Sequence, residues 1–362
     1  MGKMKAAVFH GIHDLRIEER PVPEIGDDDV LLRSRMVSIC GSDLQPYVEG
    51  VGGVEGEVFG HEYVAEVAKL GKNVSGHYIG ERVFGHNARV CGKCWYCQHG
   101  DYAHCSNVLH SYTGKHLAHP GGFSQYMLFS GPLAEPTPEA PHMNALMHIP
   151  DALSDESAVL LEPFGVGIAA MEKCGVKAGD VVVILGAGMT GNCAMQWAKK
   201  LGATIVIVDI SAHRLDIAKQ CGADYVINNA SGDCYEQIAK LIGEPGWIKG
   251  GDATTARVVA DCAGYPGSLN TALKIVRSGG TVCEIADSSV LSPVNITYIS
   301  YKDLLITNSS GCDITKALSG MLDGSLKTAP LIDEIIPLEK AKYAFDRQAN
   351  HEAMKVLVNM KA

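Results

Sequence analysis

VVVILGAGMTGNCAMQWAKKLGATIVIVD, residues Val181 to Asp209, decides the fold. Five apolar residues without polar alternation, Val181 to Leu185, predict a strand buried on both faces of a parallel sheet. Gly186, Gly188 and Gly191 follow at G-x-G-x-x-G spacing, with Met189 and Thr190 between them, and helical periodicity then runs through Trp197. Each glycine answers a different need. Gly186 permits a tight turn, Gly188 lets the backbone approach a pyrophosphate, and Gly191 lets the helix pack on the strand with its free N–H groups facing an anion. A second apolar run, Thr204 to Val208, ends in Asp209, 23 positions beyond Gly186. That spacing places a carboxylate where an adenosine ribose would donate to it. Glycines also collect in turns that bind nothing, but here strand, motif, helix, strand and acid stand in register. An anionic Asp209 would repel the 2′-phosphate of NADP and so favours NAD, while Arg214 nearby argues the other way.

With 362 residues the chain is too long for one ordinary core, and two domains are expected. Hydrophobic residues at 46% and charged residues at 20% fit a globular enzyme. The wholly apolar runs fall far short of the roughly 18 residues of a membrane span, and charges follow Ala6–Phe9 too soon for a signal-peptide core. A cytoplasmic location, with no membrane partner, is therefore expected. Against 31 basic residues stand 41 acidic ones, a net charge of −10 with no Lys/Arg block, which argues against nucleic acid as a partner. Twelve cysteines in a reducing compartment predict thiols or metal ligands rather than disulfides.

Met4 to Val67 reads as β-rich, with strands at Lys5–Phe9, Leu15–Glu18 and Val30–Val37. Polar clusters interrupt it at Cys40-Gly41-Ser42-Asp43 and Gly60-His61-Glu62. Next come Cys91, Cys94, Cys97 and Cys105, four thiols within fifteen residues. Two-residue gaps that fold the chain around one ion predict a closed, all-cysteine and hence structural zinc site. His110, His116 and His119 are irregularly spaced and carry no ligand pattern, and Gly131–Pro141 is a stiff, proline-rich surface loop. Asp151–Cys174 reads as mainly helical. Within it Glu162, between two leucines and Pro163, lies either on a wet face or against something positive. After Asp209 the α/β rhythm continues to Asn308, giving six strands in all, and the tail from Gly311 holds two helical stretches and a strand at Met354–Val358.

Taken in this order, Cys40-Gly41-Ser42-Asp43, Gly60-His61-Glu62, the cysteine lobe, Glu162-Pro163 and the Gly186–Gly191 fingerprint resemble the zinc-containing medium-chain dehydrogenase/reductase superfamily. The resemblance spans nearly the whole chain, and Glu162 makes it most similar to the sorbitol and polyol dehydrogenase branch. It implies an α/β architecture: a GroES-like, β-rich catalytic domain (1–157 and 310–362) interrupted by a doubly wound Rossmann domain (158–309), with the active site in the cleft between them. It also implies that Cys40, His61 and Glu162 hold a catalytic zinc with water or substrate in the fourth position, and that Glu62 enters or leaves that set. Asp43 would orient His61, Ser42 would take the alcohol proton, and Lys355 would reach the cofactor pyrophosphate. Two zinc ions and NAD are the cofactors so implied, with a small alcohol as substrate and a homotetramer or dimer as the assembly.

Two positions depart from the family pattern. Ala65 replaces a usual glycine, and Gln45, which cannot titrate, stands where alcohol dehydrogenases often carry a relay histidine. The reaction expected is hydride transfer from a secondary alcohol of a polyol, sugar or similar molecule to NAD, since a Cys/His/Glu set with one open position leaves zinc Lewis-acidic. An alcohol or amino-alcohol (threonine-like) dehydrogenase and a zinc-free reductase of the superfamily are the alternatives. The sequence offers Tyr47, Asn87 and Tyr112 as groups that could accept substrate hydroxyls.

Overall fold

The computed structural model describes residues 2–85, 88–89, 93–101, 104–106, 109–110, 120–130, 145–230, 233–246, 251–286, 291–309 and 311–361, with backbone alone at 88–89 and 109–110. Asn87, Cys91, Tyr112, His116, His119 and the 131–141 loop lie outside them, as does the side chain of His110. The chain forms two compact units, Met1–Glu162 with Ile332–Ala362, and Pro163–Leu331.

In the second unit six parallel strands lie in the order Tyr225–Asn228, Thr204–Asp209, Val181–Leu185, Val258–Asp261, Thr281–Glu284 and Leu305–Asn308. Chain order runs outward from the third strand in both directions, so the sheet reverses between Val181–Leu185 and Val258–Asp261. That reversal defines a doubly wound sheet and its crevice. Val183 and Leu185 pack with Val206, Val259, Tyr235 and Ile238 in one core layer, while Val182 and Ile184, on the other face, are equally buried. Burial on both sides is why the run shows no alternation, and each such side chain contributes about 1.5–3 kcal/mol relative to exposure.

The domain boundaries differ from those expected. Residues 311–331 belong to the dinucleotide unit because Asp313 N–H donates to Gly165 O (3.0 Å), Lys200 pairs with Asp323 (2.9 Å) and Gln196 exchanges hydrogen bonds with Lys327 (2.6 and 3.1 Å). At the other junction the boundary moves to Glu162. Asp155, bonded by Arg35, Arg82 and Lys361, ties its helix to the first unit.

The first unit carries a sheet in the order Glu334–Pro337, Val356–Asn359, Val30–Ser38, Glu62–Leu70, Arg82–Gly85 and Leu146–His148, with Tyr126–Phe129 also pairing Val30–Ser38. The last strand of the chain, expected from its pattern at Met354–Val358, is Val356–Asn359 and pairs with Val30–Ser38 in the N-terminal unit. A hairpin, Lys3–Gly11 with Asp14–Pro21, accompanies this sheet. The stretch Asp151–Cys174, expected to be mainly helical, forms two helices, Asp155–Ala158 and Leu161–Lys173. Pro163 falls in the first turn of the second helix, where no intrahelical N–H bond is lost. Among the described residues no helix is long and apolar enough to cross a membrane.

Candidate active site

The glycine-rich turn has the geometry its spacing implied. Gly186 has φ +97, a conformation open to glycine, and a Cβ at Gly191 would lie 2.0 Å from Gly186 O, so strand and helix could not meet with any larger residue there. A Cβ at Gly188 would meet nothing within 4 Å. That space lies in front of the helix Met189–Lys200, whose N-cap is Gly188 and whose first N–H groups belong to Met189, Thr190 and Gly191. Asn192, wholly buried, braces the turn by donating Nδ2–H to Ala187 O (2.6 Å); sequence reasoning passed it over as a helix residue.

Asp209 sits at the end of its strand, its Oδ2 accepting Ala187 N–H (2.7 Å) and its Oδ1 accepting Ser211 N–H (2.8 Å). Each oxygen keeps a lone-pair site for a ribose hydroxyl. Arg214 lies one turn on, its N–H donating to Ser211 Oγ (3.3 Å). These features fit a dinucleotide.

The metal-ligating set assembles in the first unit. Cys40 caps the helix Gly41–Glu49, which the broken β pattern had not announced, and Asp43 accepts the Cys40 N–H at 3.0 Å. Strand register brings Ser38 opposite Glu62, with His61 immediately before that strand. Cys40, His61 and Glu62 thereby offer ligand atoms all within 4.8 Å of one another. Asp43 Oδ1 lies 3.6 Å from His61 Nδ1, the relation that directs the other ring nitrogen toward a metal. Ser42 and Gln45 lie half-buried in the same helix. Glu162 is buried, close enough to feel the charges of His61, Glu62 and Lys355, but it does not join the 4.8 Å set.

The ammonium of Lys355 is engaged within the first unit. It is buried, and its Nζ donates to Glu62 Oε2 and to Ile39 O, each at 2.5 Å, because the returning strand Val356–Asn359 pairs with Val30–Ser38 beside Glu62. Ser38 Oγ bonds the same Oε2. The sequence signal for Ser38 was faint, a lone hydroxyl closing an apolar run. Tyr47 is likewise no substrate group, for its ring is wholly buried against Phe345 and its hydroxyl donates to Asp346 (2.6 Å).

Electrostatics agree with a cation site. Burial opposes the imidazolium of His61, yet Cys40 and Asp43 raise its pKa well above the ordinary value. Burial raises Glu162 to about 7, the negative charge of Glu62 adding to it against the attraction of His61. Burial also opposes the Lys355 ammonium, and Glu62 and Cys40 outweigh it. All three shifts express a surplus of anionic groups in a dry place. A divalent cation meets that demand and displaces the protons, so the donor set fits zinc.

In the cysteine lobe Cys94, Cys97 and Cys105 bring their sulfurs within 4.8 Å of one another, with Cys94 and Cys105 3.8 Å apart. Tetrahedral zinc with Zn–S of about 2.3 Å requires S···S edges of about 3.8 Å. Cys94 is held down to about 5, first by the Cys97 N–H on its sulfur, so it is ready as a thiolate.

One unit that is a doubly wound sheet with a glycine-rich turn and another that carries a buried Cys/His/carboxylate set together define a metal-dependent dehydrogenase. Two family models match, the alcohol dehydrogenase GroES-like domain over residues 26–139 and the zinc-binding dehydrogenase domain over residues 190–325. The sorbitol dehydrogenase of Bacillus subtilis (strain 168) is 33% identical over 368 residues, covering 98% of this chain and 97% of that protein. The L-threonine 3-dehydrogenase of Legionella pneumophila (strain Corby) is 29% identical, covering 95% and 96%. Among solved structures, a short chain alcohol dehydrogenase of Escherichia coli CFT073 in complex with NADH superposes with TM-score 0.84 at 25% identity, covering 99% of this chain and 100% of that one. The chain belongs to the zinc-containing medium-chain dehydrogenase/reductase superfamily, in its polyol dehydrogenase-like part. Its activity is that of a zinc-dependent alcohol or polyol oxidoreductase using a nicotinamide cofactor.

Proposed function

We propose that this chain oxidises a secondary alcohol of a small polyol or sugar with NAD, using one zinc held by Cys40, His61 and a carboxylate, Glu162 or Glu62, and a second, structural zinc in the cysteine lobe. The observation that carries this reading is the convergence of Cys40, His61 and Glu62 within 4.8 Å, with Asp43 set against His61. A zinc held by these residues would supply Lewis acidity toward the alcohol oxygen, and a bound nicotinamide would supply the hydride acceptor. Asp43 orients the imidazole of His61 and fixes its tautomer, Lys355 and Ser38 hold Glu62 in place, and Ser42 takes the hydroxyl proton. The similarity to an L-threonine 3-dehydrogenase supports a second reading, oxidation of an amino alcohol. Metal analysis combined with a screen of secondary alcohols, phosphorylated polyols and amino alcohols, read as NADH absorbance, tests both. Active protein with a single zinc would refute the two-site assignment, and no reduction of NAD by any alcohol would refute the reaction.

The cysteine lobe gives a separate prediction. Cys97→Ser is expected to lower zinc from two ions to one per chain and to raise hydrogen exchange across 93–106, because a closed structural site contributes folding free energy directly. Unchanged zinc content would rule the lobe out as a site.

NAD preference is assigned to Asp209. Asp209→Ser is expected to weaken NAD binding by about 10–100-fold, the size of losing hydrogen bonds to a charged acceptor, and to relax discrimination against NADP. The loss includes some loosening of the turn, since Ala187 N–H also rests on this carboxylate. A wild type that uses NADP faster than NAD at equal concentration would contradict the assignment. We read the assembly as a homo-oligomer, dimer or tetramer, of cytoplasmic location. The edge strand Leu305–Asn308 supports an oligomer, since Leu305 and Ile306 are exposed apolar residues on a strand paired on one side only among the described residues.

A further inference from the structure

The strands Val258–Asp261 and Thr281–Glu284 each end in an acid, and the register sets Asp261 directly beside Glu284. Residues paired in this way share a face, and two positions earlier the same face carries the buried pair Val259 and Val282. The two carboxyls therefore close the carboxyl end of an apolar layer. Asp261 is wholly buried. Its Oδ1 accepts Ala263 N–H (3.0 Å) and Gly264 N–H (3.3 Å), whereas its Oδ2 and the Oε2 of Glu284 are buried with no hydrogen-bond partner among the described residues. Two ionised carboxylates with unsatisfied oxygens in such a place are costly, and protonation of one of them relieves the cost. Burial, reinforced by the charge of Asp261, raises Glu284 to about 7.

Their location gives this pair a subject to act on. A Cβ at Gly186 would lie 2.9 Å from Ala263 N and from Cys262 C, so the segment that Asp261 caps is packed against the glycine-rich turn. The sheet reverses between Val181–Leu185 and Val258–Asp261. A dinucleotide lying across that crevice with its adenosine half on the Asp209 side places its nicotinamide half over the ends of Val258–Asp261 and Thr281–Glu284. The oxidised nicotinamide ring is a cation and the reduced ring is neutral.

We propose that Glu284, paired with Asp261, sets the preference between the oxidised and reduced dinucleotide: ionised it favours the cationic ring, and protonated it gives that preference up. The inference rests on the dinucleotide reading made above. Among the described residues, Asp261 is the charged group that acts on Glu284 most directly. From the turn after Asp261 comes the Cys262 thiol, kept protonated by burial and by the neighbouring acids Asp261 and Glu284. From Leu305–Asn308 comes the register partner Asn308, a neutral amide that accepts from the Lys173 ammonium at 2.9 Å.

The test is the ratio of dissociation constants for NAD and NADH, measured by fluorescence titration of the metal-loaded protein from about pH 6 to about pH 8.5. In the wild type the ratio Kd(NAD)/Kd(NADH) is expected to fall on the order of tenfold as Glu284 ionises, the size of one charge acting across a partly screened crevice. Groups at the metal site also titrate, so the decisive comparison is with Glu284→Gln, in which this fall is expected to disappear and the ratio to stay near its low-pH value. An equal fall in Glu284→Gln overturns the proposal. Should that variant not fold, Asp261→Asn keeps the Oδ1 acceptor and removes the neighbouring charge. The midpoint must then move to lower pH, and an unmoved midpoint overturns the proposal. A wild type that binds both dinucleotides with a ratio independent of pH overturns this inference alone, whereas one that binds neither overturns the cofactor reading beneath it.

Discussion

His61→Ala is expected to fold, to bind dinucleotide and to turn over no alcohol, and Cys40→Ser is expected to behave in the same way. Neither side chain belongs to the apolar core of its unit, so little packing is lost. Each supplies one of only a few ligands to an ion that must stay Lewis-acidic, and removing one lets water complete the shell or lets the ion leave. The loss of turnover should therefore exceed, by orders of magnitude, the 10–100-fold typical of a partner that only orients a ligand. Asp43→Asn is the matching control, because it alters the group 3.6 Å from His61 Nδ1 without removing a ligand. Glu162→Gln discriminates further. Glu162 stands outside the 4.8 Å set that contains Glu62, so a variant that keeps its zinc would make Glu62 the third ligand. Turnover, zinc per chain and circular dichroism on the same samples decide these outcomes. A His61→Ala protein that still reduces NAD at an undiminished rate would end the metal-site assignment.

Features that follow from local chemistry were legible in the sequence, and those that follow from pairing between distant strands were not. The six-strand sheet could be read because each strand is a short apolar run and the first βα turn carries three glycines with separate steric reasons. The three described lobe cysteines could be read because two-residue gaps leave few other geometries. The contact of Lys355 with Glu62 was not legible, because a sequence motif says nothing of where a long side chain ends. Its ammonium is turned to Glu62 by a strand that crosses from the far end of the chain. The contact of Ser38 with Glu62 depends on register, which a single sequence does not reveal. The same holds for Asp261 and Glu284, unremarkable as strand ends and notable only once set side by side. The helix Gly41–Glu49 was hidden by Pro46 within it, and the second domain junction by the helix Ile314–Leu322, whose pattern does not say against which sheet it packs.

Ser42→Ala is expected to lower turnover by about 10²–10⁴-fold with zinc and NAD still bound, the usual size of a positioned proton transfer. The hydroxyl stands two residues from Cys40 in the first turn of Gly41–Glu49, a helix whose start is fixed by the Asp43 bond to the Cys40 N–H. Position, not acidity, suits it to the task, since a serine cannot keep a proton and has to pass it on. The next polar side chain along that helix face is Gln45, which has no titrating group. Gln45→Ala should therefore change little, whereas Gln45→His should bring into the pH–rate profile a group titrating near about 6.5, the unperturbed imidazole value. The measurement is kcat with protonated and deuterated alcohol, because the substrate isotope effect reports whether hydride transfer limits the rate. If Ser42→Ala keeps near-full turnover while that isotope effect is fully expressed, the proton leaves by another group. The structure then leaves Glu62 as the next base, already gripped on one oxygen by Lys355 and Ser38 and positioned beside His61.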